Sequence, residues 1–375
     1  KLILNYIPRV DTFTMITRIE STQPRNRLEL RWALNNVCNF KCRYCFPGSN
    51  EGNYPSPTDV DLLIKNFNYM LDYYSKYAGK EVFDLKILGG EPTMYKDLDK
   101  FIRGIKKEHN VYVSVVSNGS RTIRWWKENG MLIDNLILSY HQQFADLDHT
   151  INVADIIHAY GKKVTVHVLM DDQHWDECVA SVNYIKANSK YRWMIQTKEL
   201  VSTSRVNISY TDKQRNFFKY ELKRFPSIIW ILKNLHLLFK GHVKLFESKY
   251  TVNGKKRRAT SQYYITTQEN NFKGWECAIG VESVYIDFDG ELKGSCGQLI
   301  FNNTRYNILD KQFISIFNPQ LSPSICTINR CVCPPETHLS KSNLSQRNVG
   351  STRTIIPITD NRIYRNSKVS LVDIT

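Results

Sequence analysis

The chain has 375 residues, 42% of them hydrophobic and 12% aromatic, which excludes a disordered chain and allows a sizeable core in more than one domain. Lys and Arg number 51 against 36 Asp and Glu, a formal charge of +15. That excess points to a polyanionic partner, nucleic acid first, or else to a generally basic surface. No apolar run approaches the roughly 20 residues of a membrane span. The start, Lys1-Leu2-Ile3-Leu4-Asn5-Tyr6, lacks the long apolar segment and small-residue cleavage site of a secretory signal. A cytoplasmic location without membrane association is expected.

After an irregular lead-in over 1–27, strand and helix patterns alternate. Strands are expected at Leu28–Leu34, Val82–Leu88, Val111–Val116, Asn135–Ser139, Lys163–Met170 and Tyr191–Thr197. Helices are expected between them at Asp59–Tyr77 (capped by Ser56 or Thr58), Leu98–Lys107, Thr122–Asn129, Asn152–Tyr160 and Trp175–Ala187. Such alternation predicts an α/β fold with a parallel sheet over 28–205, either doubly wound or a partial barrel. No G-x-G-x-x-G follows the first strand, which weighs against a dinucleotide-binding sheet. From 206 to 271 the pattern becomes a helical bridge (Asp212–Phe239, broken near Pro226) and a strand pair over Lys244–Thr267 around Asn253-Gly254. A cysteine-containing region spans 272–340, and the tail over 341–375 is polar except for Thr354–Ile358.

Nine cysteines in a cytosolic chain suggest metal before disulfides. They fall as Cys38, Cys42 and Cys45, then Cys178 alone, then Cys277, Cys296, Cys326, Cys331 and Cys333, a grouping that favours two metal sites. The first three form C-x3-C-x2-C directly after a strand. Three thiolates on one loop can hold three corners of an iron–sulfur cube and leave the fourth iron open, or can form a structural zinc loop. One βα unit later comes Gly89-Gly90-Glu91-Pro92, where the glycines let backbone approach a ligand and Glu91 with its neighbouring backbone can hold an ammonium.

Together these motifs resemble the signature of the radical S-adenosylmethionine (SAM) enzymes, and Tyr44 before the third cysteine fits that pattern. The resemblance implies a partial (β/α)6 TIM-like barrel with its site at the C-terminal strand ends. It further implies a [4Fe-4S] cluster on Cys38, Cys42 and Cys45, SAM on its open iron, and an external electron donor such as flavodoxin or ferredoxin. SAM contacts are then expected from Ser117, Asn118, Ser139, His141 and Met170, with helix capping the competing role for Ser117 and Ser120. His141, Lys198 and Glu199 are candidates for the chemistry. His167 should point into the barrel as a structural histidine.

The late cysteines, with the hairpin-like Ser283–Gly290 between them, resemble the auxiliary-cluster domains called SPASM and twitch. That resemblance implies a smaller C-terminal domain with a second [4Fe-4S] cluster on four of Cys277, Cys296, Cys326, Cys331 and Cys333. The residue-level alternative is structural zinc. Cys178 reads as core.

The run Lys255-Lys256-Arg257-Arg258, flanked by Phe246, Tyr250, Tyr263 and Tyr264, is a candidate nucleic-acid contact or a solvated loop tip. Trp125, Trp126 and Trp193 read as packing. Three functions stay open at this level. One is modification of a DNA base, with a loose likeness to phage-type radical SAM proteins that rearrange amino-acid-decorated thymines. Another is SPASM-type peptide or protein maturation. The third is a non-enzymatic, zinc-stabilised nucleic-acid binder.

Overall fold

The computed structural model describes residues 16–221 and 248–344 apart from Asn253. Pro226, Phe246, Asn253 and Thr354–Ile358 therefore lie outside the described residues. The first described strand, β1 (Ile16–Ser21), replaces part of the irregular lead-in expected from sequence. Its short polar-rich pattern only makes sense as a strand because partners from far along the chain flank it.

The main sheet is built from β2 (Arg27–Ala33), β3 (Val82–Leu88), β4 (Val111–Ser117), β5 (Asn135–Tyr140), β6 (Lys163–Met170) and β7 (Met194–Glu199), parallel and adjacent in chain order. The crossovers are α1 (Val60–Ala78), α2 (Leu98–Glu108), α3 (Ile123–Asn129), α4 (Leu147–Ala159) and α5 (Trp175–Asn188). The expected α/β parallel architecture is thus present. Alternation along each strand sends one set of side chains to the helices and the other to the concave face. On β2, Leu28, Leu30 and Trp32 are buried, and Trp32 packs 5.3 Å from Phe67 of α1 and 5.2 Å from Phe101 of α2. These rings pin both helices to the outer face, leaving Glu29 and Arg31 on the inner one.

Caps set several boundaries. Asp59, rather than Ser56 or Thr58, caps α1 by accepting from Leu62 N at 2.9 Å, and Gly79 ends the helix at φ +61°. Asp146 caps α4 by accepting from His149 N at 2.7 Å, so the helix starts at Leu147, ahead of the expected Asn152. The polar first turn hid that start from a periodicity reading. Thr122 caps α3, which leaves Ser117 and Ser120 free of that role.

Two features of the C-terminal part were not expected. The strand β11 (Ser283–Ile286) joins β2 in parallel (Ser283↔Glu29, Ile286↔Trp32), and β12 (Leu292–Lys293) follows it, extending the barrel sheet to eight strands. The hairpin thus closes the open edge of the barrel instead of standing apart. The second sheet has the order β13 (Ser324–Ile325), β10 (Glu276–Cys277), β14 (Lys341–Ser342), β1, β8 (Ser248–Val252), β9 (Lys255–Ala259). The strand pair ends at Ala259. A short helix over Ser261–Thr266, capped by Thr260, replaces the strand expected to continue to Thr267. Side chains of α1 tie the C-terminal part to the barrel: Asn66 donates to the carbonyl oxygens of Ile308 and Asp310 at 2.8 and 2.9 Å, and Tyr74 donates to that of Gly280 at 2.6 Å.

Candidate active site

The C-terminal ends of β2 and β3 meet through two close backbone crossings. Gly90 N donates to Asn35 O at 2.7 Å and Glu91 N to Val37 O at 2.8 Å. A Cβ on Gly89, which has φ +141°, would lie 2.2 Å from Asn35 O, and one on Gly90 would lie 2.3 Å from Val37 O. Only glycine lets the turn press this closely on the segment leading into the cysteine loop. That loop is braced by Asn36, fully buried, whose side chain donates to Gly48 O at 2.8 Å and accepts from Tyr54 N at 2.7 Å.

Within the loop, burial raises all three thiols. Cys42 is pushed up to about 12, first by burial and then by the charges of Cys38 and Cys45. Three thiols on one short loop fit the donor set of a shared iron–sulfur cluster. Among the described residues no three His, Cys, Asp or Glu side chains converge as a single metal ion would require. A tetrahedral zinc with Zn–S of about 2.3 Å would need sulfurs roughly 3.8 Å apart.

His141, following β5, joins this cluster of groups. Its Nδ1 lies 3.2 Å from Cys42 Sγ and 3.0 Å from the Tyr44 hydroxyl, and its ring stacks on Tyr44. Burial depresses its pKa to about 4, so the imidazole is neutral. Asn118 at the end of β4 donates from Nδ2 to Asn39 Oδ1 at 2.9 Å, and that nitrogen lies 3.9 Å from Cys38 Sγ. Arg43 reaches across the mouth to pair with Asp171 and Asp172 beyond β6.

Glu91 is placed differently from the expectation that its carboxylate holds an ammonium. It is fully buried, and its Oε1 accepts from Thr93 N (3.0 Å), Thr93 Oγ1 (2.6 Å) and Ser117 Oγ (2.8 Å). Its Oε2 accepts from Asn118 N at 2.6 Å. The side chain staples the turn to the end of β4, with Pro92 beginning a single helical turn behind it. No described residue donates to the carbonyl oxygens of Gly89 or Gly90. These backbone acceptors suit a cationic amino group.

The remaining candidates separate by strand parity. Ser139 lies on the inner face of β5, partly buried. Met170 is fully buried on the helix-packed face with Val164, Val166 and Val168, and its carbonyl accepts from the Tyr210 hydroxyl at 2.6 Å. Lys198 and Glu199 cannot both face the lumen because neighbours in a strand point oppositely. Lys198 shares the inner face with Gln196, while Glu199 is exposed. His167 faces inward and is partly buried, and its pKa falls to about 3 through burial first and then the charge of Lys198. Cys178 is buried, with Sγ 3.4 Å from Leu169 O.

Lys255, Lys256, Arg257 and Arg258 are exposed on β9, the edge strand of the second sheet. The neighbouring aromatics are not displayed with them. Tyr250 and Tyr264 are buried, and Tyr250 stacks on Tyr263 at 5.5 Å. The expected stacking platform for bases is therefore absent there among the described residues, because those rings fill the space between β8 and the following helix. Trp126 is likewise buried, donating from Nε1 to Gly119 O at 3.2 Å.

The five late cysteines come together from separate segments. Burial raises every one of these thiols. Strand pairing sets Cys277 opposite Ser324, two residues before Cys326, and Cys333 Sγ lies 3.6 Å from the carbonyl oxygen of Ser295, next to Cys296. Glu336, buried, accepts from Cys296 N at 3.1 Å and from Ser295 N, fixing that turn. Buried Lys341 donates to the carbonyl oxygens of Glu336 and Thr337 beside them.

Sequence reading missed Asn36, Thr93, Arg43 and Asp171. A signal existed for the first: an Asn-Asn pair closing an apolar strand must find buried partners. Arg43 and Asp171 are 128 positions apart, and no local pattern joins them.

Residues 32–185 match the model of the Radical SAM superfamily. Over 170 residues the chain is 28% identical to an S-adenosylmethionine-dependent nucleotide dehydratase of Thermoplasmatales archaeon (strain ISO4-H5), covering 42% of this chain and 57% of that protein. Over 116 residues it is 30% identical to a GTP 3′,8-cyclase of Pasteurella multocida (strain Pm70), covering 28% of this chain and 32% of that one. The chain thus spans between about a third and somewhat over half of these relatives. Among solved structures, anSMEcpe with bound AdoMet aligns with a TM-score of 0.47 and 17% identity, covering 79% of this chain and 81% of that chain. No helix among the described residues is long and apolar enough to cross a membrane.

Proposed function

We propose that this chain is a radical SAM enzyme, a reading that the match over residues 32–185 supports, and that it modifies a nucleobase-bearing substrate, with a base in DNA as the favoured form. The observation that carries the reading is the clasp between the cysteine loop and the Gly89-Gly90 turn. Cys38, Cys42 and Cys45 would hold a [4Fe-4S] cluster, which would supply the electron for reductive cleavage of SAM and so the radical chemistry that activates a substrate C–H bond. The chain's own residues prepare this. Gly89 and Gly90 present backbone carbonyls suited to the SAM ammonium. Glu91 fixes that turn against Ser117 and Asn118. His141, neutral and wedged between Cys42 and Tyr44, offers a proton donor or acceptor without adding charge. Ser139 stands on the inner face where a ribose or substrate hydroxyl can be met. A flavodoxin or ferredoxin is the proposed electron source.

Three features support the nucleobase. The chain is strongly basic. Four cations line an exposed edge strand. Two relatives are named for nucleotide substrates. Rearrangement of an amino-acid-decorated thymine is the narrowest form of the proposal. A second reading, peptide or protein maturation of the SPASM type, is favoured by the gathered late cysteines, which suit an auxiliary [4Fe-4S] cluster. Structural zinc in both groups is the third.

Anaerobic reconstitution with iron and sulfide, then incubation with SAM, reductant, and either DNA or peptide, tests the reading. Deoxyadenosine formation with a mass change on DNA is expected; a mass change on peptide alone selects the maturase. Absence of deoxyadenosine from iron-loaded protein removes the enzymatic proposal. Replacing Lys255–Arg258 by alanines should weaken DNA binding alike for all sequences and flatten its salt dependence by about 0.9 per lost phosphate contact.

A further inference from the structure

We propose that His141 acts through Cys42: its Nδ1–H donates a hydrogen bond to the Cys42 thiolate and makes a cluster on Cys38, Cys42 and Cys45 easier to reduce. The proposal rests on the radical SAM reading above, since it concerns the cluster those three cysteines would hold. It adds a positioning residue that sets how readily that cluster takes up an electron.

The cysteine loop builds a slot for the imidazole. The Tyr44 ring stacks on it, with centroids 5.8 Å apart and planes 9° from parallel, and Phe40 meets it edge-on at 5.9 Å. The backbone of His141 is held as well, because its carbonyl oxygen accepts from Phe144 N at 3.0 Å and from Ala145 N at 2.9 Å. Clamped in this way, Nδ1 sits 3.2 Å from Cys42 Sγ. Cys42 is 8% exposed and Tyr44 6%, so little water competes for the contact, and a hydrogen bond there is stronger than one in solvent. Cys38 differs in kind: the backbone N–H of Phe40 donates to its sulfur at 3.3 Å, and a side-chain substitution leaves that donor in place.

The direction of the hydrogen bond follows from the ligand. A thiol that coordinates a metal is deprotonated, so Cys42 can then only accept. The proton between the two atoms must be on Nδ1, which fixes that tautomer of the imidazole. The Tyr44 hydroxyl lies 3.0 Å from the same nitrogen. It can share the N–H as a second acceptor, but in this tautomer it cannot donate to Nδ1. One-electron reduction adds negative charge to a cluster and its thiolates. A donor aimed at Sγ is therefore held more tightly in the reduced state than in the oxidised one, and that difference raises the reduction potential. The electron comes from the flavodoxin or ferredoxin, and the proton stays on Nδ1 throughout.

The test is an anaerobic titration of the reconstituted chain with dithionite, without SAM, followed by electron paramagnetic resonance. The signal missing from a variant with Cys38, Cys42 and Cys45 all replaced by alanine belongs to the early cluster, and iron content checks the loading of each protein. His141→Phe keeps a ring in the slot and removes the donor. Its cluster should be about tenfold harder to reduce, a fall of about 59 mV for a one-electron couple. His141→Asn, whose amide nitrogen can stand near the place of Nδ1, and Tyr44→Phe should both stay within about threefold of the natural chain. An unchanged potential in His141→Phe overturns the proposal. An equal fall in His141→Asn overturns it in favour of ring packing, and a fall in Tyr44→Phe alone overturns it in favour of the tyrosine as donor. A second measurement covers poor iron loading of the phenylalanine variant: with 15N-histidine, the reduced early cluster should show a nuclear coupling that His141→Asn lacks, and its absence from the natural chain overturns the contact. Deoxyadenosine formation in the same preparations separates the two proposals. A donor-dependent potential without SAM cleavage sinks only the enzymatic reading, SAM cleavage with an unchanged potential sinks only the hydrogen bond, and a natural chain with no cluster on the early cysteines sinks both.

Discussion

Replacing Glu91 with glutamine changes one oxygen to an NH2 group, and the structure fixes what that costs. The carboxylate is ringed by donors: Thr93 N and Oγ1 and Ser117 Oγ on Oε1, and Asn118 N on Oε2. Two of these are backbone N–H groups, one on each side, and neither can turn around. Whichever way the amide is placed, its NH2 faces a backbone donor. One hydrogen bond to a charged acceptor, worth about 1.5–3 kcal/mol, is lost, and the buried donor left behind costs about 1–3 kcal/mol more. Part of this is recovered because a buried charge disappears; burial raises the Glu91 pKa, against the lowering effect of those same donors. The net expectation is a loss of about 2–4 kcal/mol in a urea melt, with faster amide exchange at Thr93 and Asn118. Iron retention after reconstitution should fall as well, because Asn118 is bonded to Asn39 inside the cysteine loop. A glutamine variant within about 0.5 kcal/mol of the natural chain, with unchanged exchange at those amides, would refute the stapling role.

Gly90→Ala puts a Cβ against three backbone atoms of Val37 at 2.3–2.8 Å, so the cysteine loop must retreat; iron bound per chain should drop sharply while far-ultraviolet circular dichroism stays unchanged. Arg43→Met strands Asp171, whose side chain is 1% exposed, and should destabilise by about 3 kcal/mol in chemical denaturation; Arg43→Lys should recover part of this. Lys80 is buried, donates to Arg25 O and Arg27 O at 2.8 and 3.0 Å, and has its pKa lowered from 10.5 to about 8 by burial. Between these pH values the unfolded chain binds more protons, so stability rises with pH across the window. Compared with Lys80→Met, the natural chain should gain about 3 kcal/mol from pH 7 to pH 10.5; parallel stability–pH curves would contradict this.

Much of the barrel is visible in the sequence because each βα unit is a local pattern. The strands at Val82–Leu88 and Lys163–Met170 fall where alternation and flanking turns put them. The cysteine triplet and the double glycine are equally local, since their chemistry depends on spacing within a few residues. Where reading from sequence failed, the partner was distant. β1 is a strand because β8 and β14 flank it, and β11 joins β2 across more than 250 positions. Glu91 has the residue type of an ammonium ligand, yet its burial among four donors gives it a structural task. The tyrosines beside Lys255–Arg258 have the type of a base-stacking surface, but they are used up in packing.

The amino-acid order alone therefore determined the parallel α/β frame, the three-thiol loop and the turn that meets it, because short-range periodicity and spacing encode them. Tertiary structure decided which groups at that meeting point are already committed to one another, that β11 joins β2 at the edge of the barrel sheet, and that pairing of β10 with β13 sets Cys277 near the segment of Cys326. Those are outcomes of long-range strand pairing, which has no signature within any single strand.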